Sequence, residues 1–259
     1  MIEFWSLAIA AAAVLVGVGC LAGWRYRITG AESGRTISGT VAPPLLGIYL
    51  VAAALGAVIG WENNSTARGT IADEAAVATE LYWTAGALPE PDRSAVRAGL
   101  REYLSTAVER DWPAMRTAGD LSETATADLN RLHARVAAVS ARDTATAASR
   151  SAAVRQAGEL VRLRVDRDNA AGRSIPVVLM AATAVAGLAV AVLPFAAGAR
   201  DSRATAFWAG VNLLFVAATV LLPPLLDNPF AGPFGVTSEA LQEALDQFAL
   251  VDGGGPARG

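Results

Sequence analysis

Four long apolar stretches, set as two pairs, constrain this chain more than any other feature. They run from about Phe4 to Gly23, Val41 to Gly60, Ile175 to Gly198 and Ala206 to Leu226. Each approaches or exceeds the roughly 20 residues a helix needs to cross a hydrocarbon core about 30 Å thick. A backbone in lipid must satisfy its own polar groups, so spans of this kind are helices. Between the pairs lies a polar block, Glu62 to Ser174. The expected fold class is all-α: a four-transmembrane-helix membrane protein with a helical extramembrane domain between the second and third spans. The expected divisions are 1–61 and 175–226 for the transmembrane pairs and 62–174 for the helical domain. Residues 227–259 should form a short amphipathic helix and a disordered tail.

The charge distribution narrows the function class. The chain is 17% charged, but that charge is gathered in the block, the short loops and the tail. A net charge of -3 with no concentrated basic face argues against nucleic-acid binding, which depends on counterion release. All 21 basic residues are Arg, as a GC-rich bacterial genome would give, so no mechanism is attached to Arg over Lys. The single cysteine, Cys20, lies in the first apolar stretch and excludes an intrachain disulfide. The first charge is Glu3, and Arg25 and Arg27 follow the apolar run, so the N-terminus reads as a permanent span rather than a cleaved signal.

Breakers and caps divide the chain further. Trp5, Trp24 and Tyr26 flank the first span as interfacial anchors. Arg25 to Thr40 reads as a polar loop, and Pro43-Pro44 as the first turn of the second span. Asn63 to Thr66 reads as a turn, and Thr70 to Asp73 as a capping box for a short helix. That helix would bury Ile71, Ala75, Ala78, Leu81, Tyr82 and Ala85. A helix capped by Asp92 should reach Arg110, with Val96, Leu100, Tyr103, Leu104 and Ala107 inward and Trp112-Pro113 ending it. From Asp120 to Arg173 one long helix is expected, or two joined near Arg142 to Ser149, feeding into the third span. Leu129, Leu132, Val136, Val139, Ala147, Val154, Ala157, Val161 and Val165 would form its shallow stripe. Thr237 to Ala240 should open the last helix, with Leu241, Leu245, Phe248 and Leu250 on its apolar face.

The orientation signals oppose one another. Arg25, Arg27, Arg35, Arg200 and Arg203 in the short loops favour a block outside the cell. Arg162, Arg164, Arg167 and Arg173, close to the third span, favour a block inside.

No nucleophile elbow, phosphate loop or dinucleotide fingerprint is present, and no catalytic residue is assigned. His133 is the only histidine, so no His/Cys metal site is expected, and no cofactor is implied. The spans hold no ionisable residue, which argues against a proton-coupled carrier but leaves room for a pore with apolar walls. Arg162, Arg164 and Arg167 are candidates for gathering anions or touching lipid headgroups.

Several short motifs converge on one family. They are Asp73-Glu74-Ala75, Leu88-Pro89, Leu100 to Tyr103, Glu109 to Pro113, Arg162-Leu163-Arg164, Ile175-Pro176 and Leu226 to Gly232. Together with two spans, a helical block and two spans, they resemble the bacterial bestrophin-like family of unknown function. The resemblance covers Leu50 to Phe248 and extends remotely to bestrophins, which are homopentameric anion channels. It implies a bestrophin-like homo-oligomeric channel in the bacterial plasma membrane, anion-permeable and not an enzyme. Its only implied partners are copies of itself, as a pentamer, and the lipid bilayer. The second span would line the pore at Leu45, Ile48, Ala52 and Leu55, and the block would lie inside the cell. The small residues after Ala52 depart from the bulky bestrophin pore neck, and no acidic cluster suggests a calcium clasp. The other reading is a membrane-anchored scaffold or signalling protein that acts through its helical domain without transport.

Overall fold

The computed structural model describes residues 31–196, 203–232 and 234–253. The expected first span and residues 254–259 lie outside them. Among the described residues the fold is all-helical: α1 (Ala31–Ala85), α2 (Asp92–Thr106), a π-helical turn (Ala107–Asp111), α3 (Trp112–Thr117), α4 (Glu123–Ala138), α5 (Thr144–Ala171), α6 (Val177–Ala196), α7 (Arg203–Leu226) and α8 (Glu239–Asp252).

The chain divides into two compact units: Met1–Trp61 with Ser174–Asp227, and Glu62–Arg173 with Asn228–Gly259. In the first, α6 packs on α7, and Tyr49 of α1 is buried with Ala186, Val190, Ala191 and Val216. Gly187 permits the close approach, since a Cβ there would sit 2.9 Å from the Tyr49 ring and 3.0 Å from Val220. By length and composition, Pro43–Ala85 is the one described helical stretch long and apolar enough to cross a membrane. Val177–Ala191 and Gly210–Pro223 are shorter apolar stretches.

The second unit is a bundle in which α2 packs on α4, α4 on α5, and α8 on α2. The residues expected inward on α1 and α2 are all buried, as are Leu129, Leu132, Val136 and Val139 on α4. On α8, Leu241 and Phe248 are buried, but Leu250 is exposed.

Several boundaries differ from expectation. Asn63 to Thr66 is not a turn, and Thr70 does not cap a new helix, because α1 runs unbroken to Ala85. The side chains that suggested caps are satisfied in other ways. Thr70 donates to the Thr66 carbonyl at 3.1 Å, and Asn64 donates to the Phe234 carbonyl at 2.9 Å. Pro43 and Pro44 lie inside α1, not in its first turn. Asp92 does not cap α2: Pro91 is at the cap position without a side-chain bond, and the Glu90 carboxylate before it accepts from the Ser94 N–H at 3.3 Å and the Ser94 hydroxyl at 2.8 Å. Trp112-Pro113 does not stop the chain's helical course; Pro113 opens α3, where a missing N–H costs little. Of the two forms expected between Asp120 and Arg173, the structure takes the pair of helices, with α5 starting at Thr144 within the expected joint. Ser122 caps α4, and the Asp143 carboxylate accepts from Thr146 N–H at 2.8 Å to cap α5. α5 ends before Gly172 and does not continue into α6, which begins beyond Pro176.

Candidate functional site

The densest polar chemistry in the structure lies inside the second unit. Glu74 from α1, Tyr103 from α2, Asp111 from the π-helical turn, and Arg164 and Arg167 from α5 meet there. Glu74, Asp111 and Arg167 are fully buried, and Arg164 is 5% exposed. Arg167 Nη2 donates to Asp111 Oδ2 at 2.8 Å, and its Nε lies 3.2 Å from Glu74 Oε2. The latter contact is an ion pair without hydrogen-bond geometry, since neither atom has a hydrogen-bond partner. Arg164 donates to Asp111 Oδ2 at 2.6 Å, the Ser122 carbonyl at 2.8 Å and Thr126 Oγ1 at 3.1 Å. Asp111 also accepts the Ser122 N–H at 2.9 Å, while Tyr103 donates its hydroxyl to Glu74.

The local sequence explains this placement. A π-helical turn widens the helix by one residue per turn and so re-aims the side chain at its end, here Asp111. Arg164 and Arg167 stand three apart on α5, on the same face as the buried Leu160 and Leu163. The Arg167 guanidinium lies 5.6 Å from the Trp112 ring centroid. Trp112 is fixed in turn by an edge contact with Phe230 and by donation to the Val236 carbonyl at 3.2 Å. Burial pushes the Tyr103 hydroxyl well above its ordinary range, and the neighbouring Glu74 carboxylate adds to the effect. Two carboxylates and two guanidinium groups balance formally, as buried charge must.

The three arginines expected to gather anions do not share a surface. Arg162 is exposed and paired with Glu159 and, at 2.8 Å, Asp166. Arg164 and Arg167 face the interior and are matched by Asp111 and Glu74. Of the expected α5 stripe, Ala157 is buried and Val154 and Val161 pack against the core, but Val165 is 54% exposed, and Ala153, Leu160, Leu163 and the two arginines also face inward. Continuing the 3–4 spacing from Leu160 through Leu163 to Arg164 and Arg167 was the available signal. Glu74, Tyr103 and Asp111 were not singled out as a site.

The four residues expected to line a pore divide as well. Ile48 and Leu55 are at least half exposed, Ala52 is buried, and Leu45 packs against the Tyr49 cluster. The exposed line on α1 includes Val51 and Val58, and an open apolar groove is lined by Ile48, Ala52 and Leu55 together with Pro44, Gly47, Val51 and Leu179.

The loop from Asp227 to Gly232 closes on its own side chains. Phe230 N–H donates to Asn228 Oδ1 at 2.9 Å, and Asn228 donates to the Met115 carbonyl at 3.0 Å. Asp227 accepts the Ile175 N–H at 2.7 Å. Many of the motif residues that carried the family likeness thus hold turns and buried charges. A bestrophin-like domain profile matches residues 8–241.

The chain belongs to the bestrophin-like family.

Solved structures agree with the bestrophin-like fold. A bacterial bestrophin homologue from Klebsiella pneumoniae, solved as a point variant, is similar with a TM-score of 0.63 at 15% identity, covering 95% of this chain and 99% of that one. A second variant of the Klebsiella pneumoniae homologue gives 0.62 at 12% identity, covering 96% and 99%. A crystal structure described as a membrane protein gives 0.62 at 13% identity, covering 96% and 100%. No curated protein matches this chain in sequence.

Proposed function

We propose that this chain assembles with copies of itself into a bacterial plasma-membrane channel that passes anions through a pore lined by α1. The observation that carries this reading is the bestrophin-like match over residues 8–241, with a fold shared over nearly the full length of bacterial bestrophin homologues. In this reading the chain crosses the membrane four times, in the apolar stretches, and the 62–174 domain stands outside the bilayer.

Ile48, Val51 and Leu55 support the choice of α1. They are large, apolar and exposed on the isolated chain. An exposed apolar helix face of this kind needs lipid or another copy to cover it. In a ring, a line of such residues would make a narrow apolar constriction that gates by dewetting. Of Arg162, Arg164 and Arg167, Arg162 is the exposed one, and its charge is locally balanced. Anion preference would then arise from the assembled pore rather than from that trio.

The test is halide flux from liposomes reconstituted with the purified protein. Flux above that of empty liposomes is expected. Its absence across pH and calcium concentration would overturn the channel reading and leave a scaffold acting through its helical domain.

A further inference from the structure

The second unit carries two opposed charge stripes. On α8, Glu239, Glu243 and Asp246 are exposed at i, i+4 and i+7, followed on the same face by Leu250 at 67% exposure. From Thr237 to Asp252 there are four acids and no base. None of the three exposed acids makes an ion pair among the described residues. Around the turn that joins α4 to α5 the balance reverses. Between Leu129 and Gly158 stand five arginines, Arg131, Arg135, Arg142, Arg150 and Arg155, against one acid, Asp143. Arg135, Arg142 and Arg155 are exposed and make no ion pair among the described residues.

The two stripes lie on opposite flanks of α2. Arg97 and Arg101 of α2 hold Asp252 at the end of α8, with Arg97 Nη1 3.4 Å from it. Gly99, between them in sequence, lies against Leu132 and Arg135 of α4. Residues two apart on a helix point about 200° apart, so α8 and α4 sit on opposite sides of α2. No ion pair joins the two sets of charges within one chain among the described residues.

We propose that the acidic outer face of α8 docks against the basic face around the α4–α5 turn on a second copy of this chain. The contact is heterologous, because the two faces differ. Such contacts close into a ring when the rotation between copies allows. Opposite unpaired charges at this rim would steer encounter and fix register, while Leu250 would supply apolar contact. The proposal rests on the homo-oligomeric reading given above and assigns its extramembrane interface.

A cysteine pair tests it. In a Cys20→Ser background, Glu243→Cys and Arg135→Cys are introduced into the full-length protein, which is purified in detergent and oxidised. Within one chain the two positions are separated by α2, whose diameter of about 10 Å exceeds the reach of a disulfide. A ladder of covalent multimers, absent from both single-cysteine variants, is expected. Adding Glu239→Arg and Asp246→Arg should lower its yield several-fold, and further adding Arg142→Glu and Arg155→Glu should restore it. No ladder from a protein whose native mass is multimeric would overturn this interface and leave the channel reading standing. A native mass of one chain would overturn both.

Discussion

Arg167 shows how much one side chain can decide. It is fully buried, is held by Asp111 and Glu74, and leaves two of its nitrogens without hydrogen bonds among the described residues. Removing a buried partner strands the opposite charges, so Arg167→Ala should destabilise the second unit by about 3–5 kcal/mol. Arg162→Ala, whose ion pairs are exposed, should change stability by less than about 1 kcal/mol. Thermal unfolding of the two variants in detergent separates these outcomes. A pH effect belongs to Tyr103. Its folded-state pKa is raised above the ordinary value of 10.0, so the native state keeps a proton that the unfolded state releases. The resulting stability is complete below about pH 10 and falls as pH rises further. Tyr103→Phe should flatten that alkaline decline in a stability–pH profile. An unchanged slope would remove Tyr103 from the cause.

At the scale of elements, the unbroken course of α1 is the main departure from a reading by caps and breakers. Asn63, Asn64, Ser65 and Thr66 have turn chemistry, yet α1 runs through them, and the Asn64 side chain donates to the Phe234 carbonyl and accepts from Arg68 without breaking the helix. Ser65 is exposed, so a substitution there tests the backbone rather than packing. Ser65→Pro should cost about 3 kcal/mol or more by removing an interior hydrogen bond and clashing with the preceding turn. Ser65→Ala should stay within about 0.5 kcal/mol of the parent. A proline tolerated as well as alanine would mean a turn at this point. Close packing gives a second test. Gly187→Val should cost about 1–3 kcal/mol, because the added atoms meet Tyr49, Val216 and Val220. Gly210→Ala, with nothing within 4 Å, should not destabilise. Melting temperatures in detergent rank the pair, and equal values would contradict the α1–α6–α7 packing.

For the whole molecule, the all-helical class was legible from apolar run length, and the bundle core from 3–4 spacing on α1, α2 and α4. The inner face of α5 was legible only in part, at Val154, Ala157 and Val161, because a hydrophobic stripe cannot reveal the end of a face whose largest inward side chains are Arg164 and Arg167. Nor could the sequence display the π-helical turn: Ala107 to Asp111 has ordinary helix composition, and Asp111 acquires its meaning from partners 53 and 56 residues away. The exposed side of α1 differs from the four-residue face read by spacing for a similar reason. Leu45, Ile48, Ala52 and Leu55 share one face by spacing, but Ala52 is buried and Leu45 is partly covered by the Tyr49 cluster. What stays open is a line through Ile48, Val51 and Leu55. If that line meets its counterparts around an axis, water must enter an apolar constriction before an ion can follow. Ile48→Asn would make that entry easier and should raise halide flux in liposomes several-fold without changing native mass. If Ile48 instead faces lipid, the same amide meets hydrocarbon, so stability falls and flux does not rise. Measuring flux and melting temperature on one preparation distinguishes a pore-facing α1 from a lipid-facing one.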